Sequence, residues 1–210
     1  MSIPGNGEGP AVHPIEVESY RILSSLVDLS ALRDADRSIV ERMIHATADL
    51  SFAESARLGD HAAAALQTAL ATDAPVIVDA AMVAAGITRY PTECWLPHVP
   101  VAPDGSTRSA AAFTLAAREH PDGAVFVVGN APTALFELID MFERGVVRPA
   151  AVVGLPVGFV GAAESKAALW QSGLAPISIT NQGMRGGSSP AAGAVNAIVR
   201  RVQAAKQALR

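Results

Sequence analysis

A single cysteine, Cys94, excludes a disulfide framework within the chain, and a reducing compartment is the simpler reading. Aromatic side chains are scarce, 5% against a hydrophobic fraction of 50%, so alanine carries much of the apolar content and favours helices packed closely on a sheet. Positive charge is not in excess. The 16 Lys and Arg against 20 Asp and Glu give a net charge of −4, which leaves no electrostatic footprint for nucleic acid or for an anionic membrane. No window reaches the roughly 18 unbroken apolar residues that a spanning helix needs. The first residues, rich in Gly, Pro and acid, lack the basic start and apolar run of a signal peptide. These absences predict a soluble, cytoplasmic protein with no nucleic-acid or membrane partner.

Cofactor motifs are missing as well. No Gly-x4-Gly-Lys-Ser/Thr occurs, which excludes a phosphate-binding P-loop. Gly154-x-Pro-x-Gly-x-x-Gly161 has the spacing of a dinucleotide loop, but Pro156 removes an N–H where that loop has glycine. The next strand ends in Ile179-Thr180-Asn181, with no acid to hold a ribose. His13, His45, His61, His98 and His120 are scattered without metal-ligand spacing. No Gly-x-Ser-x-Gly elbow exists, and Cys94 has only His98 nearby as a base. Neither a metal nor an organic cofactor is expected.

What is present is a serial pattern. Residues 1–12 are expected to be a flexible N-terminus and 13–210 a single domain. Helical spacing predicts helices over 14–29, from 34 or 36 onward, and over 59–71, with a connector at 50–57. Four strand–loop–helix units follow, with strands at 75–79, 123–128, 149–153 and 176–180. Between the first two strands, 87–107 reads as a loop region with room for one further strand. The strands show little alternation, as when both faces are covered. The predicted fold is therefore α/β: a three-layer α/β/α arrangement with a mostly parallel sheet and N-terminal helices. In such sheets ligands bind beyond the carboxyl ends of the strands.

Ile39, Val40, Met43 and Ile44 recur at helical spacing, and His45 sits at the edge of that stripe. Arg42 lies about one turn before it and Asp49 one turn after, so the charge and tautomer of His45 can be set by its neighbours; a structural helix histidine is the alternative. Gly129-Asn130-Ala-Pro-Thr133 ends a strand and opens a helix, where N–H groups can hold an anion or simply cap a turn. Arg185-Gly186-Gly187-Ser188 offers close backbone approach and a cation, or else a flexible linker. Arg108, in Thr107-Arg-Ser109, starts a helix and either meets an acidic ligand or lies in solvent. The carboxyl lip thus carries many anion donors and few acids, which suits a polycarboxylate ligand.

Several stretches together resemble the precorrin-8X and cobalt-precorrin-8 methylmutases of cobalamin biosynthesis. They are Pro14-Ile-Glu-Val-Glu-Ser-Tyr20, Arg42-Met-Ile-His-Ala-Thr-Ala-Asp49, Asp79-Ala-Ala-Met-Val-Ala-Ala-Gly-Ile-Thr-Arg89 and Thr107-Arg-Ser-Ala-Ala111, followed by Gly129-Asn-Ala-Pro-Thr-Ala-Leu135, the long run from Pro149 to Lys166, and Arg185-Gly-Gly-Ser188. The resemblance implies an isomerase that moves a methyl group from C-11 to C-12 of precorrin-8X or cobalt-precorrin-8, giving hydrogenobyrinic acid or its cobalt counterpart. It further implies a homodimer, no organic cofactor, His45 as proton donor and acceptor, and substrate contacts at Ser19, Arg42 and Arg108. To these the residues themselves add Asn130, Arg185, Gly186, Gly187 and Ser188 as candidate contacts. Two features depart from the family pattern: a short, proline-rich 87–107 segment, and Met184 where an arginine often stands. A tetrapyrrole-binding carrier of the same fold, with weak or no turnover, is the competing expectation.

Overall fold

The computed structural model describes residues 13–208, so the expected flexible N-terminus lies outside it. The chain begins with helix α1 (Pro14–Leu26), opened by Pro14 at its first position and capped by the His13 ring, and α2 (Asp34–Thr47), which has Asp34 and Asp36 in its first turn. A single helical turn, α3 (Phe52–Ser55), leads into strand β1 (Ala56–Leu58) and then α4 (Ala62–Ala71). Next come β2 (Val76–Val78), α5 (Ala81–Gly86) and β3 (Glu93–Cys94). After a 3-10 turn, α6 (Arg108–Glu119) is capped by the Thr107 hydroxyl. The remaining elements alternate: β4 (Val125–Val128), α7 (Pro132–Glu143), β5 (Ala151–Gly154), α8 (Ala162–Gln171), β6 (Ser178–Asn181) and α9 (Ser188–Ala208).

The six strands form one sheet in the order β1-β6-β5-β4-β2-β3, parallel except for the edge strand β1, which runs antiparallel to β6 with Arg57 opposite Thr180. The predicted three-layer α/β/α architecture is therefore present. The four predicted strands form its centre, and every residue of β2, β4, β5 and β6 is buried. Two strands are added at the edges: β1, from what the sequence reads as a connector, and β3, the further strand for which 87–107 left room. Along β4 the residues alternate between two cores. Val125 and Val127 pack with α2, α4, α5 and α9, while Phe126 and Val128 pack with α6, α7 and α8. Among the described residues, no helix is long and apolar enough to cross a membrane.

Two consequences of this topology position the site. First, the chain leaves β2 across one face through α5 and leaves β4 across the other through α7, so the crevice between these neighbours is the switch point of the sheet. Second, α9 packs against α2, with Gly193 letting the backbone of α2 come close. A Cβ at Gly193 would lie 3.0 Å from the Arg42 carbonyl oxygen and 3.4 Å from Ala46. The sheet lip, the start of α9 and the end of α2 thereby meet in one region.

Candidate active site

The apolar stripe of α2 is buried at Ile39, Val40, Met43 and Ile44, and His45 is left half-buried at its edge. There α1 crosses it. The imidazole Nδ1 lies 2.9 Å from Ser19 Oγ, and the Tyr20 ring stacks on the imidazole with centroids 5.0 Å apart and planes 8° from parallel. The Tyr20 hydroxyl accepts from Arg42 at 3.0 Å, and Arg42 also donates to Glu16 at 2.5 Å. From α9, Arg200 donates to the same carboxylate at 2.7 Å. One carboxylate thus serves two guanidinium groups, leaving net positive charge beside His45.

The electrostatics follow from that arrangement. The hydrogen bonds from Arg200 and then Arg42 hold Glu16 down at about 2, against the burial that opposes ionisation. Burial and the nearby Arg42 push His45 below its ordinary 6.5; Arg200 adds to this, and Glu16 partly offsets it. The resting imidazole is neutral at pH 7. A carboxylate whose acidity is strengthened by folding contributes stability above its unfolded value, which is lost as pH falls through the folded one. Glu16→Gln should therefore flatten the acid side of the melting profile between pH 4.5 and about 2. An unchanged slope in thermal melts across that range would show that the two arginines do not hold this carboxylate.

Among the described residues, Nε2 of His45 has no protein partner. Because the Ser19 hydroxyl can donate to Nδ1 or accept from it, either tautomer is available without moving the ring. Nε2 carries the proton in one state and the lone pair in the other.

At the switch point, the buried Asp79 follows β2 and reaches the turn after β4. It accepts from the Gly129 N–H at 2.9 Å, from Asn130 at 2.9 Å and from Ala131 at 2.6 Å. Burial pushes its carboxyl up, and the three N–H bonds pull it back. The N–H groups that the sequence offers to a ligand anion are thus taken by the chain's own carboxylate, and what Asn130 presents at the lip is its exposed side chain.

The remaining expected site residues fall into two groups along a continuous lip. Ser19, Arg42 and His45 converge directly. Arg185 is tied just past the end of α2, donating to Asp49 at 2.5 Å and to Ser51 Oγ at 3.0 Å. Asp49 does not reach His45, because α2 ends at Thr47 and Ala48 turns left-handed at φ 53, which carries Asp49 away from the ring. Arg108 and Asn130 lie further along, where Thr107 and Thr133 hydroxyls meet at 2.7 Å. Arg108 donates to the carbonyls of Val99 at 2.6 Å and Leu96 at 3.3 Å, pinning the 3-10 turn. Ser188 bridges the groups, its Cα lying 3.0 Å from where a Cβ of Gly129 would stand. Gly186 and Gly187 cross the loop after β5, with the Gly187 N–H on the Leu155 carbonyl at 2.8 Å.

Glu16, Tyr20 and Arg200 complete the site and are not marked by sequence spacing, although Glu16 and Tyr20 fall inside the first resembling stretch. Among the described residues, no group of three or more His, Cys, Asp or Glu side chains is arranged to hold a metal ion.

Comparison with known proteins points the same way. The family model described as Precorrin-8X methylmutase matches residues 14–201. The precorrin-8X methylmutase of Pseudomonas aeruginosa is 40% identical over 201 residues, spanning 91% of this chain and 95% of that protein. The cobalt-precorrin-8 methylmutase of Methanocaldococcus jannaschii is 35% identical over 88% of this chain and 89% of its own. The crystal structure of precorrin-8X methylmutase from Thermus thermophilus superposes with a TM-score of 0.81 at 33% identity, covering 91% of this chain and 96% of that one.

Proposed function

The chain belongs to the precorrin-8X methylmutase family, and on that premise we propose that His45 moves the proton in a methyl migration from C-11 to C-12 of precorrin-8X or cobalt-precorrin-8. The enzyme is an isomerase of cobalamin biosynthesis. Such a shift around a conjugated macrocycle forms no bond to the protein and needs no nucleophile. It needs a proton placed on the ring system at the right moment, returned afterwards, and rigid placement of the migrating group. The observation that carries the assignment is that Nε2 of His45 has no partner among the described residues, with Nδ1 on a hydroxyl that accommodates either tautomer.

The polycarboxylate substrate supplies the charge that the resting site lacks. Glu16 neutralises one of its two arginines, so a substrate carboxylate arriving beside Arg42 favours imidazolium over imidazole and loads His45 with its proton. Ser19 holds the ring, and Asn130, Arg108 and the Arg185-Gly186-Gly187-Ser188 loop take the carboxylate arms at the lip. Residues 13–210 act as one methylmutase domain.

The same reading includes a homodimer in the cytoplasm. Support for the homodimer comes from Ile15, Ile22 and Leu26, exposed at helical spacing along α1. Support for the compartment comes from the single cysteine and the lack of a described helix able to cross a membrane. Relatives named as methylmutases across about nine-tenths of the chain favour turnover over the carrier alternative. Incubating the purified protein with precorrin-8X should give a growing absorption of the rearranged corrin over many turnovers. A stoichiometric spectral shift with no conversion would refute the enzymatic reading.

A further inference from the structure

Lys166, in the middle of α8, is 1% exposed, and burial pushes its ammonium down to about 8. Its partners are neutral: Asn181 Oδ1 at 3.0 Å and the carbonyl oxygen of Arg185. A buried cation without a counter-anion costs several kcal/mol, and an apolar side chain of similar volume avoids that penalty. The arrangement around Arg185 indicates what the ammonium does.

The Arg185 carbonyl receives both Lys166 and the Asn181 side-chain amide, the latter at 3.1 Å. The Arg185 side chain reaches Asp49, two residues beyond the end of α2. The next residue, Gly186, lies so close over the preceding loop that a Cβ there would meet the Leu155 carbonyl and stand 2.5 Å from that of Pro156. Beside this segment lies a cavity of about 370 Å³ lined by Lys166, Trp170, Asn181, Gln182 and Gly183. Close packing is interrupted there, and directed polar contacts hold the loop.

We propose that Lys166 is a positioning residue: through the Arg185 carbonyl it fixes the 185–188 loop, and through the Arg185 side chain it fixes the end of α2 that carries His45. The inference rests on the methylmutase reading for its kinetic consequence but not for its structural one. Lys166→Met in the full chain tests this. Because loss of a buried charge offsets loss of two hydrogen bonds, Lys166→Met should melt within a few degrees of the parent protein. Its KM for precorrin-8X should nevertheless rise roughly ten- to hundredfold, with kcat less affected. Amide hydrogen exchange across residues 183–189 should accelerate in Lys166→Met.

Lys166→Gln, which keeps one donor, should fall between the two and serves if the methionine variant does not fold. Unchanged KM with unchanged exchange overturns the proposal. If the parent protein fails to convert precorrin-8X, the methylmutase reading falls, and exchange alone decides the role of Lys166.

Discussion

His45→Ala should lower kcat for precorrin-8X by about three orders of magnitude, within the 10²- to 10⁴-fold that a positioned acid–base group supplies. Binding should survive, because the anion donors at the lip are untouched. The dissociation constant, read from the spectral shift of the bound macrocycle, should stay within a few-fold. Stability should suffer little. The ring is half-buried at the edge of the α2 stripe, and what is lost is the stack on Tyr20 and the contact with Ser19. An aromatic pair contributes about 0.5–1.5 kcal/mol beyond its buried area, so melting should fall by only a few degrees. His45→Gln keeps a partner for Ser19 and should recover part of that loss without recovering turnover. Near-parental kcat in either variant would remove His45 from the chemistry, whatever its effect on melting.

The largest effect on folding is expected at Asp79. Its carboxylate satisfies three backbone N–H groups at the turn after β4, and Asp79→Ala leaves all three without a partner. A buried donor without an acceptor costs about 1–3 kcal/mol; with Gly129 buried and the others partly so, about 3–6 kcal/mol is expected in total. For a chain of this size that lowers the melting temperature by roughly 10 °C or more. Asp79→Asn restores an acceptor but turns an amide N–H₂ towards donors, so it should fall between the two. Exchange of the Gly129, Asn130 and Ala131 amides should accelerate in both. A drop of less than about 2 °C in Asp79→Ala would mean that water replaces the carboxylate at little cost, and that the switch point is not closed by it.

The central sheet was legible because β2, β4 and β5 are unalternating apolar runs of strand length, a pattern that burial on both faces imposes locally, while β6, Ser178-Ile-Thr-Asn181, was marked by its β-branched residues between Pro176 and a Gly-rich loop. The edge strands were not. β1 contains Ala56, Arg57 and Leu58, with no β-branched residue, and its partner β6 lies more than 100 residues along the chain. β3 is two residues long. In the site, the place of His45 at the edge of its helix could be read from spacing alone, since Ile39 to Ile44 define the buried face. The carboxylate beside it could not. Asp49 has the spacing to face His45 only if the helix continues, and it stops at Thr47. Glu16, which sets the charge next to the imidazole, meets Arg42 and Arg200 from 26 and 184 residues away, a juxtaposition that only the packing of α1, α2 and α9 creates.

The carboxylate of Asp79 has a consequence for how the enzyme behaves among other metabolites. The crevice where comparable sheets seat a phosphate is filled by the chain's own negative charge, hydrogen-bonded to the amides a phosphate would use. A nucleotide arriving there meets like charge and spent donors. Adenylates and nicotinamide dinucleotides at cellular concentrations should then neither compete with the macrocycle nor tune its rearrangement.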